Sequence, residues 1–240
     1  MKKIFITGST TGLGFLAAKK LIEDGNEVYL HARNQVKATR LRERLPGVKE
    51  IAIGDLSKIE EVRQIARQVN SWGDFDTIIH NAGVYTSDTN LTYQVNVVAP
   101  YVLTCLIHRP QRLIYIASGM HIGAQLDIDH LEKSLDYSGS KLAIMLLMKK
   151  IARTFNDTAV NAVDPGWVPT RMGGSIANDN LEDGYLGQVW LSQSDDQLAY
   201  ESGHCYYHRR FEKYDQRVDS QKLQNDLCKK LAELTQIRLK

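Results

Sequence analysis

The sequence carries almost no net charge, because 30 lysines and arginines face 28 aspartates and glutamates, a formal excess of +2. That absence removes the global field that would gather nucleic acid or an anionic membrane surface, so neither is expected as a partner. The local group Arg209, Arg210 and Lys213 is interleaved with Glu212 and Asp215 and reads as a solvated face. Cysteine is scarce. Cys105, Cys205 and Cys228 are widely separated, form no CxxC pair for zinc or redox chemistry, and suit a reducing cytoplasm. No metal site is expected either, since His121 and His130 stand nine residues apart without a third ligand beside them. No run of about 18 apolar residues occurs, so no spanning helix is expected. The opening MKKIFITGS places too few apolar residues after its two lysines for a secretory signal.

What remains is an ordinary globular composition, 43% hydrophobic and 24% charged, in a chain of 240 residues that fits one α/β domain. Short apolar runs alternate with longer amphipathic segments, the pattern of βα units feeding a parallel sheet. Strands are expected at Ile4 to Thr7, Val28 to Ala32, Glu50 to Ile53, Thr77 to His80, Arg112 to Ala117 and Ala159 to Val163. Helices are expected at Gly12 to Gly25, Ala38 to Leu45, Glu60 to Asn70, Ala99 to Ile107 and Tyr137 to Phe155. No linker, repeat or low-complexity tract divides the series. The tail from Asp219 to Leu239 reads as an amphipathic helix with Leu223, Leu227, Leu231 and Leu234 on one face.

The string TGSTTGLG, Thr7 to Gly14, falls between the first strand and the first helix. A turn this tight needs residues without Cβ where φ is positive or where backbone approaches a ligand, and Gly8, Gly12 and Gly14 supply them. Ser9, Thr10, Thr11 and Leu13 complete the loop, and the helix that follows directs free N–H groups at a pyrophosphate. At the end of the second strand an acid would hold both ribose hydroxyls and repel a 2′-phosphate. Here the sequence reads His31, Ala32, Arg33 and Asn34. The acid is missing and Arg33 can clamp a phosphate, which favours NADP over NAD while leaving NAD possible.

The string YSGSK places Tyr137 and Lys141 at i and i+4, on one face of the long helix. Reducing a ketone needs a proton donor at the developing alkoxide, and oxidising an alcohol needs the same group as a base. A tyrosine with its usual pKa near 10 is a poor base at neutral pH, so the Lys141 ammonium and a positive nicotinamide ring are expected to lower it. Ser118 ends the fifth strand, where side chains leave a parallel sheet toward its ligand crevice.

Together these strings resemble the short-chain dehydrogenase/reductase family over nearly the whole chain. TGSTTGLG, Asp55 and Leu56, HNAG from His80 to Gly83, Asn96, Ser118, YSGSK and DPGWVPT from Asp164 to Thr170 occur in the family's order. The resemblance implies a single-domain, Rossmann-type doubly wound parallel sheet with helices on both faces, spanning residues 1–240. It also implies a catalytic tetrad of Asn96, Ser118, Tyr137 and Lys141, in which Asn96 bends its helix and holds a proton-relaying water. Asp55 would contact the adenine beside Leu56. Asn81, Ala82 and Gly83 would line the nucleotide cleft, and Pro165, Gly166, Val168 and Thr170 would flank the nicotinamide.

Three departures are visible. His80 replaces the family's usual first asparagine, without an expected loss of function. The 19-residue interval from Ser118 to Tyr137, containing SGMHIG and DIDHLEKS, resembles the retinol-dehydrogenase-like and protochlorophyllide-reductase-like branches. It is expected to form a substrate wall near residues 119–136. The segment from Asn96 to Ile114 is short, which trims a helix the family often uses for dimer contact and leaves a homodimer only possible. Residues 170–185 are expected to form a mobile lid. Tyr85, Met120, Trp167 and Met172 suggest an apolar pocket. The expected protein is a cytoplasmic oxidoreductase moving hydride between NADP and a small carbonyl or alcohol. A sugar-nucleotide epimerase or dehydratase would need a larger substrate region, and a cofactor-binding sensor typically lacks the tyrosine or the lysine.

Overall fold

Apolar runs that are hydrophobic at every position, rather than at alternate ones, must be covered on both faces, and this dictates the layering. The computed structural model describes residues 1–239. The chain begins β1 (Lys3–Ile6), α1 (Gly12–Glu23), β2 (Glu27–Ala32), α2 (Gln35–Arg44), β3 (Ile51–Ile53), α3 (Ile59–Ser71) and β4 (Thr77–His80). It continues through α4 (Thr89–Tyr93), a π-helical turn (Gln94–Val98), α5 (Ala99–Leu106), β5 (Arg112–Ile116), α6 (Leu131–Ser134), α7 (Tyr137–Thr154) and β6 (Ala159–Asp164). The last part contains α8 (Leu181–Gln193), β7 (Cys205–Tyr207), β8 (Arg210–Phe211) and α9 (Gln221–Thr235).

The strands form one sheet in the order β3-β2-β1-β4-β5-β6-β7-β8, parallel throughout except for the final β7–β8 pair. Successive residues of β1 feed opposite layers. Ile4 and Ile6 pack with Leu21, Leu41 and Val189, whereas Phe5 packs with Val62, Tyr101 and Leu147 on the other face. The strand order reverses between β1 and β4. In such sheets the reversal opens a crevice beyond the carboxyl ends of the strands, and the glycine turn follows β1 there. No helix among the described residues is long and apolar enough to cross a membrane.

Every strand and long helix expected in the first two thirds is present, with ends displaced by a few residues. The last third adds three elements that the sequence pattern did not announce. Helix α8 is glycine-containing and weakly amphipathic, because Gly184 and Gly187 sit where larger side chains would strike Val168 and Val163. Strand β7 pairs with β6, and β8 folds back along β7 through His208 and Arg209, both at positive φ. That two-residue turn suits the twist of a hairpin, and exposed Arg210 leaves a charged, short outer strand.

The C-terminal helix is shorter than expected, ending at Thr235, with Gln236 in the left-handed conformation (φ 56°). Leu227 and Leu231 are fully buried, but Leu234 is 44% exposed, because the i+4 stripe continues to Thr235 instead. This helix lies across α7, and beyond it the Ile237 carbonyl accepts a 2.8 Å hydrogen bond from the Tyr101 hydroxyl on α5. Leu231→Ala is expected to lower unfolding free energy by about 2–5 kcal/mol, the cost of an unfilled core site. Urea denaturation followed by circular dichroism measures it, and a change below about 1 kcal/mol would remove α9 from the structural core.

Candidate active site

The glycine turn is held from beneath by polar contacts that need close backbone approach. Gly8 has φ +66°, and a Cβ there would come within 2.7 Å of the Ala82 Cα. A Cβ on Gly14 would collide with the Asn81 amide nitrogen, which donates to the Thr7 carbonyl at 2.9 Å and the Gly8 carbonyl at 3.2 Å. The Ala82 N–H in turn donates to the Thr7 hydroxyl at 3.0 Å. His31, at the end of β2, closes the other side. Its Nδ1 accepts the Gly8 N–H at 3.1 Å, so Nε2 carries the proton and donates to the Gly54 carbonyl at 2.8 Å. Burial lowers the His31 pKa and keeps this neutral form in place, despite the pull of the Gly54 carbonyl and Asp55.

Above the turn lies a cleft of about 950 Å³. Thr10, Thr11, Gly12 and Leu13 line it, and a Cβ added to Gly12 would meet nothing within 4 Å, so that side of the turn is open to a ligand. Ser9 behaves differently. It is fully buried, its hydroxyl donates to the Ile6 carbonyl at 2.6 Å, and it does not reach the cleft. Arg33 lines one end of the cleft with Lys37 and Arg171. Burial lowers the Lys37 pKa, and the charges of Arg33 and Arg171 lower it further, which identifies a true cluster of cations. The Asn34 side chain caps α2 by accepting the Lys37 N–H at 3.0 Å. Asp55 and Leu56 stand outside the cleft lining. Burial alone would raise the Asp55 pKa, but the Ser57 N–H and hydroxyl, with Arg33 and Lys58, hold it below the usual value.

Ser118, Tyr137 and Lys141 line the opposite end, where β5 and the first turns of α7 meet. Asp136 starts α7 by accepting the Gly139 N–H at 2.7 Å, which fixes the helical phase that aims Tyr137 and Lys141 into the cleft. Lys141 is buried, and its Nζ donates to the Ile116 carbonyl at 2.7 Å while lying 5.4 Å from the Tyr137 ring centre. Asn96 supports this group from behind without entering the cleft. Its Oδ1 accepts the Val84 N–H at 2.8 Å, and its Nδ2 donates to the Val84 carbonyl and the Ser140 hydroxyl, each at 3.0 Å. The helix around it widens into a π-turn over Gln94–Val98.

The electrostatics differ from the sequence expectation. Burial pushes the Tyr137 phenol up to about 12, reinforced by the charge of Asp164, although a hydrogen bond with Ser118 acts in the other direction. Lys141 does not offset this. Burial pushes its own pKa down to about 8, with Asp164 partly countering, and one of its N–H groups is committed to Ile116. With the chain's own groups, the phenol therefore keeps its proton at neutral pH.

The stretch between Ser118 and Tyr137 is ordered by its two histidines. His121 is buried; its Nδ1 donates to the Ser118 carbonyl at 2.6 Å and its Nε2 accepts the Asp215 N–H at 3.3 Å. His130 is exposed and pairs with Asp127 at 2.9 Å. On the facing side, the loop after β6 carries Pro165, Gly166, Val168 and Thr170 along the cleft wall. Asp179 accepts the Trp167 N–H at 2.6 Å, and the Trp167 indole donates to the Gly173 carbonyl at 2.9 Å. Residues 181–185 form the first turn of α8, capped by Asn180, so only the earlier part of the expected lid is irregular chain.

Sequence reasoning missed His31, Lys37, Asp164 and Arg171 as cleft residues. Lys37 had a signal, since it follows Arg33 by four positions at the start of a helix. The others depend on long-range placement. A doubly wound sheet with a glycine cradle, a cationic pocket and a serine, tyrosine and lysine at one cleft defines the class of nucleotide-binding oxidoreductases. Residues 2–181 match the family model described as short chain dehydrogenase. The chain belongs to this family, whose members are NAD(P)-dependent oxidoreductases. It is 40% identical over 212 residues to the short-chain dehydrogenase chyC of Penicillium rubens, covering 81% of this chain and 82% of that one. Human retinol dehydrogenase 13 is 27% identical over 229 residues, covering 82% of this chain and 69% of its own. The fold also matches the Pseudomonas aeruginosa RhlG/NADP active-site complex with a TM-score of 0.71 and 24% identity, over 85% of this chain and 93% of that one.

His80 sits beneath the site, its Nε2 at 3.0 Å from the Thr104 hydroxyl, which meets the Tyr115 hydroxyl at 2.6 Å. Its Nδ1 is buried without a partner among the described residues. Burial pushes its pKa down to about 3 from an ordinary 6.5, so the unfolded chain takes up a proton that the folded chain refuses. Stability is therefore full above about pH 6.5 and falls toward pH 3 by up to about 1.4 kcal/mol per pH unit. His80→Asn removes this linkage, and the parent should lose about 2 kcal/mol more than the variant between pH 7 and pH 5. Urea midpoints at both pH values check it, and equal losses would contradict the neutral buried imidazole.

Proposed function

We propose that the protein is an NADPH-preferring reductase of small, largely apolar carbonyl compounds, with Tyr137 as the proton donor. The observation that carries this reading is the convergence of Ser118, Tyr137 and Lys141 at one end of a cleft whose other end holds Arg33, Lys37 and Arg171. The Pseudomonas aeruginosa match has NADP in its active-site complex, which is consistent with the same cofactor here.

The residues fit the cofactor at both ends. Gly12 leaves an open side for a pyrophosphate, and the first N–H groups of α1 face the same space. Arg33, Lys37 and the amino end of α2 suit a 2′-phosphate, and β2 ends in Ala32 with no acid to repel one. Pro165, Gly166, Val168 and Thr170 would flank the ring. When bound, the nicotinamide supplies the hydride to the substrate carbon, or accepts it in reverse. The Ser118 hydroxyl holds the substrate oxygen beside the phenol, and Tyr137 gives that oxygen its proton. A phenol at about 12 holds its proton at neutral pH and can give it to a developing alkoxide, the role that reduction asks of it. Lys141 would hold the ribose, and Asn96, locked onto Val84 and Ser140, would keep a relay open behind it. Tyr85, Met120, Trp167 and Met172 are each about half exposed at the mouth, an apolar rim for the body of the substrate. The reaction fits a cytoplasmic protein with three free thiols.

Two variants test this reading. NADPH should bind more tightly than NADH by fluorescence titration, and Arg33→Ala should erase about 10- to 100-fold of the difference, the worth of a charged hydrogen bond. Equal affinities in the parent protein would defeat the phosphate pocket. Tyr137→Phe should retain NADPH binding while its turnover across a carbonyl panel falls by about 100- to 10,000-fold. Undiminished turnover would take the tyrosine out of the chemistry, and a parent protein that binds NADPH yet consumes none would be a sensor.

A further inference from the structure

Asp164 is the last residue of β6, only 5% exposed, and it lines the cleft between the reacting end and the loop that begins at Pro165. One carboxylate oxygen has a structural duty, since Oδ1 accepts the Gly166 N–H at 2.8 Å and so fixes the plane of the group. The second oxygen has none. Oδ2 lies 3.2 Å from where a Cβ on Gly119 would stand, against the residue that follows Ser118. Neither a donor to Oδ2 nor an ion pair to this carboxylate occurs among the described residues.

Two neighbouring donors make their hydrogen bonds to other groups. The Lys141 amine donates to Ile116, and the Cys205 thiol donates to Glu212 at 3.6 Å. Glu212 is pushed up to about 7 by burial and then by the charge of Asp164, which marks a field of negative potential at this end of the sheet. A carboxylate oxygen that lines a cleft without a donor from the protein is suited to a donor that arrives with the ligand. The cleft thus has opposite polarity at its two ends, cations by Arg33 and a carboxylate by the reacting groups.

Resting on the carbonyl-reductase reading above, we propose that Asp164 selects the substrate. Its free Oδ2 accepts a hydrogen bond from a hydroxyl or ammonium group carried close to the reacting carbonyl. The same charge disfavours substrates with a carboxylate at that position. A donor there lies between Ser118, which holds the carbonyl oxygen, and the wall of β6. Substrates would therefore be apolar ketones or aldehydes bearing a neighbouring hydroxyl or amine, rather than keto acids.

The test uses ketones of one skeleton in which the position beside the carbonyl carries hydrogen, hydroxyl, ammonium or carboxylate. In the parent protein, kcat/KM for the hydroxyl or the ammonium member should exceed that of the plain ketone by about 10- to 100-fold, with the carboxylate member slowest. The better of the two donors names the source. Asp164→Asn keeps a carbonyl oxygen for the Gly166 N–H, and it should bring the donor-to-plain ratio within about threefold while raising the carboxylate member. Gly119→Ala crowds Oδ2 while keeping the aspartate itself and should lower the ratio too, which covers an Asp164→Asn protein that fails to fold. A ratio near one in the parent, or one unchanged in both variants, would overturn the proposal. Calorimetric binding of the same compounds to the protein with NADP runs alongside. A donor preference in binding that Asp164→Asn abolishes, with no NADPH consumed, would overturn the reductase reading and leave Asp164 in its role.

Discussion

The closeness of two backbones at the point where the strand order reverses is the constraint on which the site depends. The turn after β1 and the end of β4 approach until Gly8 touches Ala82 and Gly14 touches Asn81. No side chain fits between them. The Asn81 amide then ties the two segments together through the carbonyls of Thr7 and Gly8, and the Thr7 hydroxyl accepts the Ala82 N–H. This contact leaves the open side of the turn facing the cleft, so the packing that joins the ends of β1 and β4 also shapes the cleft. His31 completes it from β2, as an acceptor for an N–H that the turn would otherwise leave unpaired.

The first two thirds of the fold were legible because their signals are local. A buried parallel strand is a short apolar run, and α3 or α7 announces itself by period. The last third was not, and the reason lies in its residues. Helix α8 packs by means of Gly184 and Gly187, which register as breakers when their neighbours are unknown. Strand β7 spans only Cys205–Tyr207, and its partner β6 lies some forty residues earlier. At the site, Tyr137, Lys141 and Ser118 could be read from their spacing and position at element ends. Ser9, named with the cofactor loop, turned out to serve the turn's interior. Asp164 and Arg171 could not be placed, since their position at the cleft arises from which loops the sheet brings together.

The tyrosine shows how burial and charge compete. Spacing suggested that Lys141 would draw the Tyr137 pKa down, and that reasoning counted the attraction of a cation while leaving out the loss of water around both groups. Burial acts on them in opposite directions, raising the phenol and lowering the ammonium, and each shift keeps the pair closer to neutral. Lys141 directs a hydrogen bond at the Ile116 carbonyl and lies 5.4 Å from the Tyr137 ring centre. Asp164 adds to this by opposing phenolate.

That same carboxylate gives the cleft its sense of direction. A dinucleotide can enter a long groove either way round, and shape alone discriminates weakly between two ends of similar width. Charge does better. The cluster of Arg33, Lys37 and Arg171 would attract a phosphate at one end, while Asp164 would repel it from the other. The wrong orientation would place a phosphate beside the Asp164 carboxylate and take it away from the three cations, and the two costs add. On the reading proposed above, Asp164 would orient the cofactor by repulsion as well as choose the substrate by attraction, from a single position at the end of β6.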